Sequence, residues 1–565
     1  MNKTSHRPSI SPFILLLPVL LSFGHAMAQQ PAVSRADAGS DVIMRAMQDE
    51  LTRSVEKLRL KDLEKPYFIE YGVIDVESIT ISAAFGGILF NRHDRSRGMA
   101  VEVRVGSYDS DNEPGGYPGQ LVIEDDYDAL RHDLWLATDA SYRQGIETLT
   151  RKRAFMKNRV ALEQENIPDF SKEESVVDIQ PRRVLRADEK QWAQWIREWS
   201  AIFREFPEIS QSNVSLQAQL FHRYLVNSEG TRVRQSSLLI SLDTRAYTQS
   251  PDGMWLNHFQ PYYVSDFDQL PKPDEVALAI RKMAKELVAL RQAPVLKDNY
   301  LGPVLLTGQA SGVMFSQLLA SELCSQRASA GSQQEDASSL FNRINRRVLP
   351  AFLTVYDDPS QQKLDNTALL GHFATDDQGV KARRVSLIEE GILKNLLMSR
   401  RPRKHAPNSN GHGRSGFVGG ASASVGNLFI QARDGKSYEE LKQELIRTCK
   451  LQTLDYGIIL KTMEESGGRG LPDPVLAYRV YVADGREELI RGLTLGELNL
   501  KDLRQLQAVG NDRYVHNQIE GGGRNGGGYG TALVVPSVLV EELEIKKPTG
   551  TQQKPLLLTH PYFGQ

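Results

Sequence analysis

Two cysteines in 565 residues are too few for a disulfide-stapled scaffold or a cysteine-rich structural zinc site. Cys324 and Cys449 could pair, but two small buried hydrophobes is the simpler reading. No charge of one sign dominates. With 68 Lys and Arg against 70 Asp and Glu, the formal charge is −2, which gives no global reason to bind nucleic acid or an anionic membrane. Beyond the first residues no run of 18 apolar residues exists, so stable insertion of a helix into a membrane is not expected. No 20–50-residue repeat is present.

Catalytic signatures are also scarce. The eleven histidines include no HExxH and no pair at i, i+4; His405 and His412, the closest two, fall in a loop-like stretch. His516 precedes Glu520 by four residues, a weak ligand pair on a helix for which ordinary polarity is the simpler reading. GQASG (308–312) and GRSGF (413–417) do not fit a strand–turn–helix nucleophile elbow, and no Ser-x-x-Lys surrounds Ser316. GGGRNGGGYGT (521–531) has glycines but not the Lys-Ser/Thr of a phosphate loop, so it reads as a flexible turn or a close backbone approach.

What is present begins with a leader. Lys3 and Arg7 precede the short apolar run Phe13–Leu21, and Ala26-Met27-Ala28 forms a small-residue cleavage site. The run is too short to span a bilayer, so residues 1–28 read as a signal peptide and the mature chain as a periplasmic or secreted protein. Removing Lys3 and Arg7 takes the formal charge to −4. Ser40 can cap a helix over 41–60, and strands are expected at 67–75, 78–85 and 99–106. A charge-laced helix spans about 126–160, a shorter one 189–204, and the turn Asn227–Gly230 joins two strands. The helix 274–291 stops before Pro294, which places the domain boundary there: one domain over 40–294, a β-rich one over 300–545, and a polar tail over 546–565. Strands and helices are grouped rather than alternating, which favours α+β over a doubly wound sheet.

Several stretches in collinear order resemble the TldD/PmbA family of peptidases and peptidase modulators. They are FNRINRRVLPAFLTVYDDPS (341–360), GHFATDDQGVKARRVSLIEEGILKNLLMSR (371–400), NGHGR (410–414), YRVYVADGREELIRG (478–492) and LRQLQAVGND (503–512). The N-terminal half adds an Ala-Met-x-x-Glu-Leu helix (46–51), PYFIEY (66–71) and VRVGSYDSDN (103–112). The resemblance implies a two-domain α+β architecture, with a mixed N-terminal α/β sheet domain and a β-rich C-terminal domain. It also implies a dimer, either a homodimer or a heterodimer with a relative bearing HExxxH. In the catalytic branch two histidines of a helical HExxxH and a late cysteine hold zinc, and the glutamate serves as base to its water.

That motif falls on Gly312–Ser321 of this chain. Ser316 and Ser321 then stand at the histidines, Gln317 at the glutamate and Gly528 at the cysteine. Hydroxyls and an amide are poor replacements for imidazole and carboxylate, so no zinc or other cofactor is expected, and a helix over 312–325 is expected without its chemistry. The reading is therefore a zinc-free modulator subunit that assists proteolysis beside a catalytic partner. An extended peptide would meet the loop at Asn410, His412 and Arg414 and a strand near Val534–Val540, Val535 included. Two other readings are a peptidase using Ser316, His412 or His516 as replacements, and a non-enzymatic homodimeric peptide-binding protein.

Overall fold

The computed structural model describes residues 41–113, 116–158, 167–325, 327, 340–404, 406–416, 420–465, 471–521 and 528–548. The leader, Ser40, His405, most of the glycine-rich loop and the tail after 548 lie outside the described residues. The chain is α+β, as read from the sequence.

Helix α1 (Val42–Lys57) is capped by Asp41, whose carboxylate accepts the Met44 N–H at 3.1 Å. It buries Ile43, Met44, Ala46 and Met47. The strands expected at 67–75 and 78–85 are one strand, β1 (Pro66–Ala84), paired with β2 (Gly87–Val105) along its whole length. No glycine or proline interrupts positions 73–84, so nothing stops the ladder between them. The first sheet adds β3 (Tyr117–Gln120), β4 (Val177–Ile179), β5 (Ile209–Asn227), β6 (Arg232–Gln249) and β7 (Trp255–Val264) in the order β3-β2-β1-β5-β6-β4, with β7 also on β6.

The two faces of this sheet follow the period of two. Odd residues of β1 (Ile69, Tyr71, Val73, Ile79, Ile81) pack under helices. Those helices are α1, α2 (Tyr127–Asn158), α3 (Glu189–Ala201) and α4 (Pro273–Gln292). Even residues Ile74 and Val76 turn the other way and join Phe221 and Leu239 against Leu370 of the C-terminal half. One strand thus serves the N-terminal core and the seam between halves.

The C-terminal half holds two further large sheets. A seven-stranded sheet contains β8 (Tyr300–Leu306), and helix α5 (Gln309–Phe315) follows directly. A six-stranded sheet begins with β9 (Leu353–Asp357), β10 (Val385–Glu389), β11 (Ile392–Leu393) and β12 (Asn427–Ala432). Helix α6 (Tyr438–Leu451) covers the outer face of the seven-stranded sheet through Leu441 and Leu445. That sheet also takes β13 (Tyr456–Met463), β14 (Pro474–Tyr481), β15 (Glu487–Ile490), β16 (Thr494–Leu495) and β17 (Leu506–Val509). β18 (Tyr514–Glu520) and β19 (Tyr529–Val535) complete the six-stranded sheet in the order β11-β10-β9-β12-β19-β18, and β20 (Val538–Lys546) returns to β8. The main core, including Val313, Phe315, Leu319, Leu533 and Val538, lies around α5 between the two sheets.

Two buried arginines close the seam between halves at the segment 167–188, which crosses from α2 to α3. The Phe170 ring lies between the guanidiniums of Arg104 (3.6 Å) and Arg400 (4.0 Å). Arg400 also donates to the Ser171 carbonyl at 2.6 Å and to Glu229 at 2.8 Å, while Arg104 pairs with Asp111 at 2.6 Å.

Candidate functional site

The segment expected to be one helix over 312–325 is three short pieces. Helix α5 ends at Phe315, a π turn covers Ser316–Ala320, and a 3-10 turn covers Ser321–Leu323. The correction has a geometric reason. An α-helix turns about 100° per residue, so positions five apart would diverge by about 140°. The i→i+5 bonding of a π turn brings them back toward one side. Ser316 and Ser321 are five apart, and the π turn begins at Ser316.

Strand β18 runs beneath this segment in step with it. Gly308 faces Tyr514, Gly312 faces His516 and Ser316 faces Gln518. Four helical residues rise about 6 Å, and two strand residues about 6.6 Å, so the two rows stay in register. A Cβ at Gly312 would come within 2.6 Å of the His516 ring, so glycine is what lets the imidazole lie against the helix. His516 therefore sits on a strand, not on the helix expected with Glu520. It is buried, and burial holds its pKa down at about 4, so it is neutral at neutral pH. Burial pushes the Glu520 carboxyl upward.

The four motif positions are thereby located. The Ser316 hydroxyl and the Gln518 amide exchange hydrogen bonds, with Nε2 donating at 2.8 Å and Oε1 accepting at 3.1 Å. Gln317 and Ser321 are exposed. The Gly528 carbonyl accepts from Arg223 Nη2 at 2.8 Å, an arginine that reaches across from β5. These groups do not fit zinc: two neutral hydroxyls, one amide and a backbone carbonyl supply neither imidazole nor thiolate. The two cysteines are free and buried, Cys324 donating to the Ala320 carbonyl and Cys449 packed near Gly457. Burial raises both thiols above their ordinary range, which suits inert side chains.

The loop Asn410–Arg414 is held from within. His412 and Asp357 are both fully buried, with Nε2 3.1 Å from the carboxylate. The other ring nitrogen lies 3.1 Å from the Asn410 carbonyl and 3.2 Å from its side-chain oxygen. The Asn410 amide is oriented by the Met398 N–H and the Leu396 carbonyl. Both ring nitrogens thus lie within hydrogen-bond distance of oxygen atoms, so Asp357 and Asn410 fix the orientation of the ring. Asp376 accepts from the N–H groups of Gln378 (3.0 Å), Val380 (2.8 Å) and Gly413 (2.8 Å), fixing the loop to the Asp-Asp-Gln-Gly turn. Asp377 accepts from Ser415 N at 2.7 Å and from Arg414 Nε at 3.3 Å. The Arg414 guanidinium lies between the rings of Phe373 (4.2 Å) and Tyr529 (4.6 Å), and its buried Nη1 has no hydrogen-bond partner among the described residues.

A small cleft opens beside this loop, between the halves, lined by Glu70, Glu102, Arg223, Asp376, Asp377 and Gln378. Its open space is about 50 Å³, enough for about three waters but not for a peptide. Burial, then the neighbouring Glu102 charge, pushes Glu70 up to about 8, so it keeps its proton at neutral pH. Burial also raises Asp376 to about 6 against the pull of its three backbone donors.

The expected peptide-contacting residues are therefore not gathered on one open surface. Val535 is fully buried, and β19 is paired on both sides, by β12 and β18. Pro536 and Ser537 separate β19 from β20, so 534–540 is not one strand, and β20 too is paired on both sides. The unpaired edge of the six-stranded sheet among the described residues is that of β18. Sequence reasoning did not single out Asp357, Gln518 or Arg223. The doublets Asp357-Asp358 and Asp376-Asp377 stood inside quoted stretches and were the available signal for the first. Nothing local marks Gln518 or Arg223, whose partners lie hundreds of residues away.

Residues 300–547 match the family model of the PmbA/TldA metallopeptidase C-terminal domain. A metalloprotease of Archaeoglobus fulgidus is 29% identical over 184 residues, 32% of this chain and 39% of that protein. One of Methanothermobacter thermautotrophicus is 22% identical over 289 residues, 51% of this chain and 59% of that protein. The match thus spans about two fifths to three fifths of these relatives. The fold is shared more widely. The structure of a candidate modulator of DNA gyrase from Thermotoga maritima aligns with TM-score 0.58 at 16% identity, covering 89% of this chain and 99% of that one. TldE from Thermococcus kodakarensis aligns with TM-score 0.57 at 15% identity, covering 89% of this chain and 100% of that one. Residues 300–547 thus match the PmbA/TldA metallopeptidase C-terminal domain in sequence, and the chain shares its fold with these structures along nearly its whole length.

Proposed function

We propose that this chain is a zinc-free, exported subunit that assists peptide proteolysis beside a metal-bearing relative, without cleaving peptides itself. One observation carries the reading: Ser316, where a catalytic relative has its first histidine, is hydrogen-bonded to Gln518 instead. The remaining positions, Gln317, Ser321 and Gly528, bring no ligand or base. Replacement catalysis is disfavoured by the same geometry. Ser316 bonds to Gln518 rather than to a histidine, His412 is fully enclosed with Asp357, and His516 is packed against Gly312.

An extended peptide has one suitable edge near this site, that of β18, where backbone pairing needs no particular side chain. The unpartnered Nη1 of Arg414 is a donor available to a peptide carbonyl after a small movement of its surroundings. His412 and Asn410 would act only by holding that loop in place.

The test uses purified mature protein. Elemental analysis is expected to find no stoichiometric zinc, and a chelator is expected to leave Tm unchanged, since no ligand specific to the folded state is removed. Cleavage of a peptide library should require an added HExxxH-bearing relative that co-purifies with this chain. One tightly held zinc per chain with chelator-sensitive cleavage by the protein alone would overturn the reading. Export is checked separately, by N-terminal sequencing of the product from the periplasmic or secreted fraction, expected to start at or near Gln29.

A further inference from the structure

Each carboxylate that lines the cleft between the halves is answered from within the chain. Glu102 pairs with Arg104 at 2.5 Å, and Glu70 keeps its proton at neutral pH. Asp376 accepts three backbone N–H groups, and Asp377 accepts from Ser415 N and Arg414 Nε. The cations are less well served. Arg223, which lines the cleft from β5, makes no ion pair among the described residues. It donates to two backbone carbonyls there, Gly528 at 2.8 Å from Nη2 and Ser415 at 3.5 Å from Nη1. Burial pulls its pKa down against the nearby Asp377, and the like charge of Arg414 adds to the pull. Arg414 itself is 8% exposed, and its Nη1 lacks a partner among the described residues. A buried cation costs free energy unless it is paired. Two guanidiniums with Asp377 between them leave one positive charge over.

The two arginines stand at one end of β18. Gly528, which accepts from Arg223, precedes Tyr529, whose ring lies 4.6 Å from the Arg414 guanidinium. Tyr529 pairs with Glu520, the last residue of β18. The other end of that strand, Tyr514, faces Gly308. The open space of the cleft is about 50 Å³, room for about three waters or for the three heavy atoms of one carboxylate.

On the reading that an extended peptide lies along β18, we propose that Arg223 and Arg414 bind its terminal carboxylate, so that the peptide is taken by its C-terminal end. Guanidinium donors lie in one plane and match both oxygens of a carboxylate, and the surplus positive charge is cancelled on binding. With its last residue beside Glu520, the peptide runs parallel to β18. Its earlier residues then pass Gln518 and His516, the stretch that faces Ser316 and Gly312. A chain that ends in an amide brings no charge to the arginines.

Fluorescence polarisation with the full mature chain tests this without metal, partner or cleavage. The probes are an N-terminally labelled, alternating Thr-Val decapeptide with a free C-terminus and the same peptide as its C-terminal amide. The free acid is expected to bind about tenfold to a hundredfold tighter, as charge-assisted hydrogen bonds allow. Acetate should compete far more weakly than the unlabelled acid, because it lacks the backbone that pairs with β18. Arg223→Met should bring acid and amide to equal affinity by weakening the acid alone. It should also raise the urea midpoint of the free protein, since it removes a buried charge that lacks a partner. Arg414→Gln should lose the same preference, and far-UV circular dichroism confirms that each variant is folded. Equal binding of acid and amide by the unaltered protein would overturn the carboxylate site while leaving the peptide edge in place. If neither peptide binds, the site falls together with the reading of β18. Acetate competing as well as the peptide, or a preference for the acid that survives Arg223→Met, would also overturn it.

Discussion

Gly312 and His516 show how one residue depends on another far away in sequence. The glycine lets the imidazole lie against α5, and the resulting burial keeps the ring neutral. Its pKa is about 4 folded against an ordinary value of 6.5. The sign follows from proton counting. Between these values the unfolded chain binds a proton that the folded chain does not, so stability is full above about 6.5 and falls as pH drops toward 4. The loss is at most about 3 kcal/mol. Urea denaturation between pH 7 and 4.5 should show this slope, and His516→Phe, which keeps a ring on the glycine, should flatten it. An unchanged slope in that variant would show that other groups set the acid sensitivity. The sequence made His516 visible as a histidine, but not its strand, its burial or its glycine, because the contact joins residues about two hundred positions apart.

At the level of elements, the crossing segment between α2 and α3 has a larger role than its polar composition suggests. Phe170 is 3% exposed and carries an arginine on each face, one from β2 and one from the C-terminal half. Phe170→Ala removes a buried aromatic side chain and two cation–π contacts at once. It is expected to cost about 3–5 kcal/mol, measured by chemical denaturation. Phe170→Leu, which keeps most of the volume, should cost less. A loss under about 1 kcal/mol for the alanine variant would mean that the sandwich does not hold the seam. The helices α1, α2, α3 and α4 were legible because each carries an apolar face at helical spacing; on that face of α2, Leu130, Leu134, Ala137 and Leu149 are buried and Ile146 is half-buried. The motif segment was not legible in the same way. Its spacing suggested a helix, whereas five-residue separation of the two serines is served by a π turn.

For the molecule as a whole, the first sheet draws all its strands from residues 66–264, and the other two large sheets draw theirs from 300–546. Between them the seam is mixed. Ile74, Val76, Phe221 and Leu239 meet Leu370, while Arg400 crosses to Ser171 and Glu229. This arrangement explains why the Asn410–Arg414 loop turns inward. It lies where the two halves, the Asp376-Asp377 turn and strand β9 converge, so its polar groups are taken up by buried partners rather than by solvent. The sequence by itself determined the α+β class, the main amphipathic helices, the resemblance to the TldD/PmbA family and the presence of Ser316, Gln317, Ser321 and Gly528 where that resemblance would set a zinc motif. Each of these depends on residue identity or on local periodicity, which the chain carries wherever it folds. Only the tertiary structure decided that Gln518 occupies Ser316, that Asp357 holds His412, that Val535 is core and that β18 ends as an open edge. Those outcomes depend on which strands pair and which remain unpaired, a choice made by contacts between segments that local sequence pattern does not encode.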